Sequence, residues 1–429
     1  MGLVRVGAAL ASKPVGSLLR WGHRFATGRD VVLDVVIDRR ADLHDRTQRL
    51  HRLRRVADDP LVAAVVLRLR EPPGGWAACQ DLRAAIAHVR ASGKPVYAWL
   101  ESAGNAVAWL ASATDRVFLV PTGDFGLVGV GVELTFFGAA LSRLGVRPDF
   151  EAAGAYKSFG EPWTRSYPSP ANQEAMHELV GDLHDQLVEG IASGRKRPVA
   201  EVREVLGRAP LSAQDALAAG LVDELLYEDQ LEGWLRDRHG KRARLVPYPR
   251  WVVRDALQEW VSRWGRRGAV VTVLHLQGPI VLDDRQSGAS IGARKVAPIL
   301  RRLREDDRVG AVVLHVDSPG GSALASDLIW REVSELRRRK PVVASFEDVS
   351  ASGGFYLAAP ANAIFVRPAT LTGSIGVFGG KLVLGEGLRK LGVHTSEILG
   401  APNANLFSPS RQFSPDQRDR FRASLQRFY

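Results

Sequence analysis

Cysteine is nearly absent from this 429-residue chain. The single one, Cys79, excludes an intrachain disulfide framework and any zinc site built from cysteine thiolates. Long apolar runs are missing as well. The nearest approach, Val117 to Leu141, is broken by Asp124, Glu133 and several glycines, so nothing meets the roughly 18 residues a membrane-spanning helix needs. Lysine is scarce: nine of the 58 basic residues are lysines and the rest are arginines. A lysine in an apolar setting therefore stands out. The 45% hydrophobic content excludes disorder, and 42 glycines are too few for a collagen-like repeat. What remains is a globular chain long enough for two or three cores. Its net charge of +11 suits an anionic partner such as a membrane surface. The arginines are dispersed and accompany no recognition motif, which argues against nucleic acid.

The chain is written twice. Ala64-Val-Val-Leu-Arg-Leu69 leads to Pro73-Gly74-Gly75, and Ala311-Val-Val-Leu-His-Val316 leads to Pro319-Gly320-Gly321. Lys94-Pro95-Val96 matches Lys340-Pro341-Val342, and Leu141 to Val146 matches Leu388 to Val393, always at an offset of 246 or 247. Four landmarks in order at one offset read as a tandem duplication. Continuous Val/Ile/Leu runs between helical stretches predict buried parallel strands in an α/β fold. One such helix is expected over Asp327 to Arg339, with Leu328, Ile329, Val333 and Leu336 on one face. The expected organisation is a basic extension (residues 1–29), a first repeat (30–232), a basic Trp-containing linker (233–268) and a second repeat (269–429). The second repeat lacks about forty residues that the first possesses, and reads as truncated at its C-terminus, as in a fragment. Within the linker, Val253, Leu257, Trp260, Val261 and Trp264 form an apolar stripe opposite Arg254, Glu259, Arg263 and Arg266. This suits a helix packed on its own domain, or one lying on a membrane.

Two glycine-rich turns carry the chemistry. Ser350-Ala-Ser-Gly-Gly354 stands between a strand and a helix, where a small-residue setting exposes Ser352 for attack on a carbonyl. Asp317-Ser-Pro-Gly-Gly-Ser322 lies at a second strand-to-helix turn. Ser318 and Gly320 are expected to form its substrate-binding part, and the N–H groups of Gly321 and Gly353 would make an oxyanion hole. Ser352 falls opposite Asn105 or Ala106 in the first copy, so only the second copy carries the serine. A base is also required. His315 sits within a strand and reads as a satisfied core histidine, while His394 is the best histidine candidate but has no orienting carboxylate nearby. The alternative is a lysine held neutral by burial. Lys157, among Tyr156, Phe159 and Trp163, has no lysine counterpart in the second copy, so the copies look complementary. Ser374 is placed to orient the amine.

At these motifs, together with Leu371-Thr-Gly-Ser-Ile-Gly376 and Ala155-Tyr-Lys-Ser158, the chain resembles the signal peptide peptidase A family in its long, tandem-repeat form. The resemblance covers most of residues 30–429. It implies a spiral of stacked ββα units similar to the caseinolytic protease and crotonase superfamily. It also implies a serine endopeptidase that clears cleaved signal peptides and other hydrophobic peptides at the bacterial inner membrane. Ser352 would be the nucleophile, Lys157 the general base, Ser374 its positioner, and Gly321 with Gly353 the oxyanion hole, with no metal or cofactor. A homotetramer is implied too. Two rival readings use other residues. A crotonase-like acyl-CoA enzyme would take Glu347 or Asp348 as its base, and a non-catalytic membrane scaffold would use the repeats and the basic Trp helix.

Overall fold

The computed structural model describes residues 4–6, 31–37, 41–241, 243–263, 268–283 and 289–429. The architecture is mixed α/β, built on two six-stranded sheets. In spatial order the first sheet runs Glu224–Leu225, Arg116–Leu119, Val96–Leu100, Val62–Leu69, Val31–Ile37 and Arg244–Pro247, and every pair is parallel. The second runs Val4–Val6, Val270–Gln277, Val309–Ser318, Val342–Ala351 and Ala363–Phe365. Leu371–Gly373 pairs with the far end of Val342–Ala351, and only Val4–Val6 is antiparallel. All five residues of Val96–Leu100 are buried, as the unbroken apolar runs require of strands covered on both faces. Each fully buried Val or Leu contributes roughly 1.5–3 kcal/mol, so two-sided burial fixes these segments as strands.

The two sheets meet the same local needs with matching residues. Lys94 Nζ donates to the carbonyls of Val56 and Asp59, closing the end of helix Leu43–Val56. Lys340 Nζ donates to those of Leu303 and Asp306 at the end of helix Ala293–Glu305, at 2.7 and 2.5 Å. Ala103 and Gly104 pair with Phe125 and Gly126 in parallel, as Ser350 and Ala351 pair with Thr372 and Gly373.

Several boundaries differ from the sequence expectation. Arg244–Pro247, placed in the linker, is the edge strand of the first sheet beside Val31–Ile37. Val4–Val6, placed in the basic extension, extends the second sheet. Helix Tyr248–Arg263 docks through buried Trp251 and Asp255, which bond to Asp59 and to Arg52 and Arg55 respectively. Val253 and Leu257 of the proposed packing stripe face outward; the side chains of Trp260 and Val261, and Trp264 and Arg266 altogether, lie outside the description. A polar face won here because three arginine and carboxylate partners converge on it. The helix expected from Asp327 starts earlier, at Ala323, and its Leu328 is exposed while Ile329, Val333 and Leu336 are buried. No described helix is long and apolar enough to cross a membrane.

A two-stranded ribbon is among the features that join the halves. Arg147–Ala153 pairs antiparallel with Val377–Val383 over seven residues, from Val377 beside Ala153 to Val383 beside Arg147. Helix Pro415–Gln426 braces this ribbon: Arg418 holds Asp149 at 2.6 Å and also Glu151, and Arg422 holds Glu151 at 2.7 Å.

Candidate active site

Strand Val342–Ala351 ends at Ser352, which opens the short helix Gly353–Ala358. Ser352 has φ +53° and ψ −117°, a region that costs a non-glycine residue of order 1–3 kcal/mol and persists only under external constraint. The constraints are visible. Ser352 N–H donates to Gly373 O and Tyr356 N–H to Ser352 O, both at 2.9 Å. A side chain on Gly354 would meet Ser318 O at 2.8 Å, so the double glycine lets the turn seat against the neighbouring strand.

Lys157 arrives from the other half. The ribbon strand Arg147–Ala153 ends at Gly154, φ +105°, and the chain turns to bring Lys157 Nζ 2.9 Å from Ser352 Oγ. Nζ also lies 2.9 Å from Ser374 O and 3.1 Å from Ser374 Oγ. No carboxylate stands within ion-pair distance of it among the described residues. Burial pushes the amine's pKa below its ordinary value of 10.5. The aromatic neighbours expected to cover this lysine do not: Tyr156 and Phe159 are exposed, and Trp163 stacks on Phe137. Its stem instead lies against Gly376, where an added Cβ would meet Lys157 Cβ and Cδ at 3.3 and 3.4 Å.

The second glycine turn abuts the first. A Cβ on Gly320 (φ +98°) would meet Gly353 N at 2.8 Å and both Ala351 O and Ser352 Cβ at 2.9 Å. Neither Gly321 N–H nor Gly353 N–H is paired with an acceptor among the described residues. The matching turn of the first half is occupied: Gly75 N–H donates to Asp348 Oδ2 at 2.7 Å. Ser318 departs from expectation. It is fully buried and its Oγ accepts from Gly320 N–H at 3.2 Å, so its side chain holds the turn and does not face an incoming chain.

No histidine bonds to Ser352 among the described residues. His315 is partly buried and engaged elsewhere, with Nε2 3.0 Å from Glu347 Oε2, and His394 lies in an exposed coil. Glu347 and Asp348, the carboxylates that an acyl-CoA enzyme would need, point away from Ser352. Asp348 accepts from Gly75 N–H and Ala78 N–H and pairs with Arg46, and Glu347 pairs with His315. Sequence reasoning passed over Arg46 itself. The available signal was a charge inside the apolar face formed by Leu43, Leu50 and Leu53 of its helix.

The model of peptidase family S49 matches residues 88–241 and 334–429, more than half of the chain. The chain belongs to that family. Curated relatives agree. The chain is 30% identical to a chloroplast serine protease, SPPA, of Arabidopsis thaliana, over 87% of this chain and 56% of that protein. It is 29% identical to Protease 4 of Salmonella typhi, over 88% of this chain and 62% of that protein. For Protease 4 of Haemophilus influenzae the identity is 29%, over 83% and 60%. The chain thus spans between 56% and 62% of the length of these S49 relatives.

Proposed function

We propose that this S49 chain is a serine endopeptidase in which Ser352 is the nucleophile and Lys157 the general base. The observation that carries this reading is the 2.9 Å approach of Lys157 Nζ to Ser352 Oγ across 195 residues of sequence, by an amine with no ion-pair partner among the described residues. A neutral amine has two N–H groups and one lone pair. Ser374 O and Oγ take the two N–H groups, which leaves the lone pair aimed at the Ser352 hydroxyl. Ser352 then attacks the scissile carbonyl while its proton passes to Nζ. The oxyanion is held by the N–H groups of Gly321 and Gly353, and the ammonium returns the proton to the leaving amine. Water, activated by the same amine, hydrolyses the ester. The carboxylate of Asp348 on Gly75 N–H supports the anion-binding capacity of such a turn. Exposed Ile375 beside Ser374, and exposed Leu324 and Leu328 after the Gly320-Gly321 turn, favour apolar segments, the character of cleaved signal peptides.

A fluorophosphonate probe is expected to label Ser352, located by mass spectrometry, at a rate that rises with pH. The neutral amine is the active form and burial lowers its pKa, so the rate reaches half its maximum below pH 10.5. Absence of the adduct, or a flat rate across the range, sinks the dyad.

We further read the halves as copies of one unit, a reading supported by the Lys94 and Lys340 caps. On that reading residues 130–136 correspond to the ribbon strand Val377–Val383, and residues 394–400 to Arg147–Ala153. Both are unpaired here and expose Val132, Leu134, Ile398 and Leu399. Residues 130–136 of one copy would pair antiparallel with 394–400 of the next, giving a head-to-tail assembly that closes into a ring such as a tetramer. Ile398→Arg is expected to yield monomers by size exclusion with light scattering. A wild type that is already monomeric at micromolar concentration overturns the assembly.

A further inference from the structure

The inter-strand ladder beneath the site is interrupted. Val316 pairs with Phe346 and Ser318 with Ser350, so two steps along Val309–Ser318 oppose four along Val342–Ala351. The additional residues form a bulge containing Glu347, Asp348 and Val349, immediately before Ser350-Ala351-Ser352. Bulges of this sort re-aim the residues that follow them, and something must fix the bulge if Ser352 is to stand in one place relative to the Gly320-Gly321 turn.

Arg46, on helix Leu43–Val56 of the first half, is 6% exposed and reaches the ends of both strands. Nη2 lies 2.9 Å from Asp317 Oδ2, Nη1 lies 2.7 Å from Asp348 Oδ2, and Nε lies 3.8 Å from Glu347 Oε1. Asp317 stands just before Ser318-Pro319-Gly320-Gly321, and its Oδ1 accepts from Val349 N–H at 3.2 Å. Asp348, on the bulge, is in turn seated on the start of helix Trp76–Ala91 through Gly75 N–H and Ala78 N–H, at 2.7 and 2.9 Å.

We infer that Arg46 is a positioning residue: its guanidinium ties the strand end that leads to the oxyanion-hole turn to the bulge that leads to the nucleophile. The inference rests on the proposed roles of Ser352 and Gly321. Arg46 touches no reacting atom. It acts through Asp317 and Asp348, one carboxylate per strand, and a planar fork can serve both at once whereas a lysine ammonium is a single point of charge. The same contacts make catalytic geometry depend on the first half being docked, since the arginine and the helix that receives Asp348 both belong to it.

The test compares wild type with Arg46→Lys and the isosteric Asp317→Asn, each purified as folded protein by size exclusion. A misplacement of about 1 Å between catalytic groups costs on the order of 100-fold. Both variants are expected to lose roughly 10- to 100-fold in kcat on an apolar-containing peptide, with KM within twofold. Fluorophosphonate labelling of Ser352 is expected to slow by a similar factor. If Arg46→Lys does not fold, Asp317→Asn decides alone. Folded variants that keep wild-type kcat and labelling rate, whatever their melting temperature, overturn the inference and leave Arg46 as a stability residue. Failure of the wild type itself to label at Ser352 overturns the dyad instead, so the two failures are distinct.

Discussion

Ser352→Ala and Lys157→Ala should each reduce peptide hydrolysis by about 10⁴-fold or more in kcat, and the double variant should be no worse than the weaker single one. Residues that act as one proton-transfer unit lose their function together, so their effects do not add. Lys157→Arg should be as inactive as the alanine variant, because a guanidinium stays protonated and cannot accept the serine proton. Lys157→Met separates chemistry from folding. Burial lowers the folded-state pKa of this amine, so the unfolded chain binds more protons over the interval between that value and 10.5. Stability therefore rises with pH through the interval, and below it the lysine carries its full penalty. Removing it should leave the melting temperature at pH 7 unchanged or raised while activity disappears. A Lys157→Met protein that melts well below wild type, or a Lys157→Arg protein that retains turnover, contradicts the assignment.

Gly320→Ala is the second large effect. The new Cβ would stand 2.8 Å from Gly353 N and 2.9 Å from Ser352 Cβ, and neither backbone nor nucleophile can move aside without opening the site. Glycine is also the residue suited to φ +98°. Strain of about 1–3 kcal/mol should lower the melting temperature modestly, while displacement of the oxyanion donors should lower kcat/KM by about 100-fold or more. Gly104→Ala is the control: its φ is −92° and a Cβ there meets nothing within 4 Å. Equal losses in the two variants, measured by steady-state hydrolysis, would show that the close packing of the two turns is irrelevant.

Much of this was legible in the sequence, for a physical reason in each case. Buried parallel strands announce themselves by unbroken apolar runs, and Val62–Leu69 and Val309–Ser318 fall where those runs are. For the candidate site the legible signal was the asymmetry between the copies, since Ser352 and Lys157 each lack a counterpart in the other, whereas a serine and two glycines at a turn also suit a plain helix cap. Distances were not legible. The antiparallel pairing of Arg147–Ala153 with Val377–Val383, which carries Lys157 to Ser352, joins segments some 230 residues apart, and no local pattern encodes that choice of partner. Ser318 was misread for a related reason: a hydroxyl beside a reactive turn looks the same in sequence whether it faces solvent or caps Gly320 N–H from below. Glu347 and Asp348 were offered as bases because they are near Ser352 in sequence, yet the bulge turns both toward Arg46.

The ribbon between the halves has a consequence for the life of the polypeptide. During synthesis Lys157 emerges long before Ser352, and in the proposed dyad neither reacts alone. With Lys157 as the base of Ser352, hydrolysis would begin only after Val377–Val383 has been made and has zipped onto a strand completed more than 200 residues earlier. A chain caught half-made, or one whose halves have come apart, would then be chemically silent toward its neighbours. On the proposed mechanism, catalytic competence would report that folding has finished.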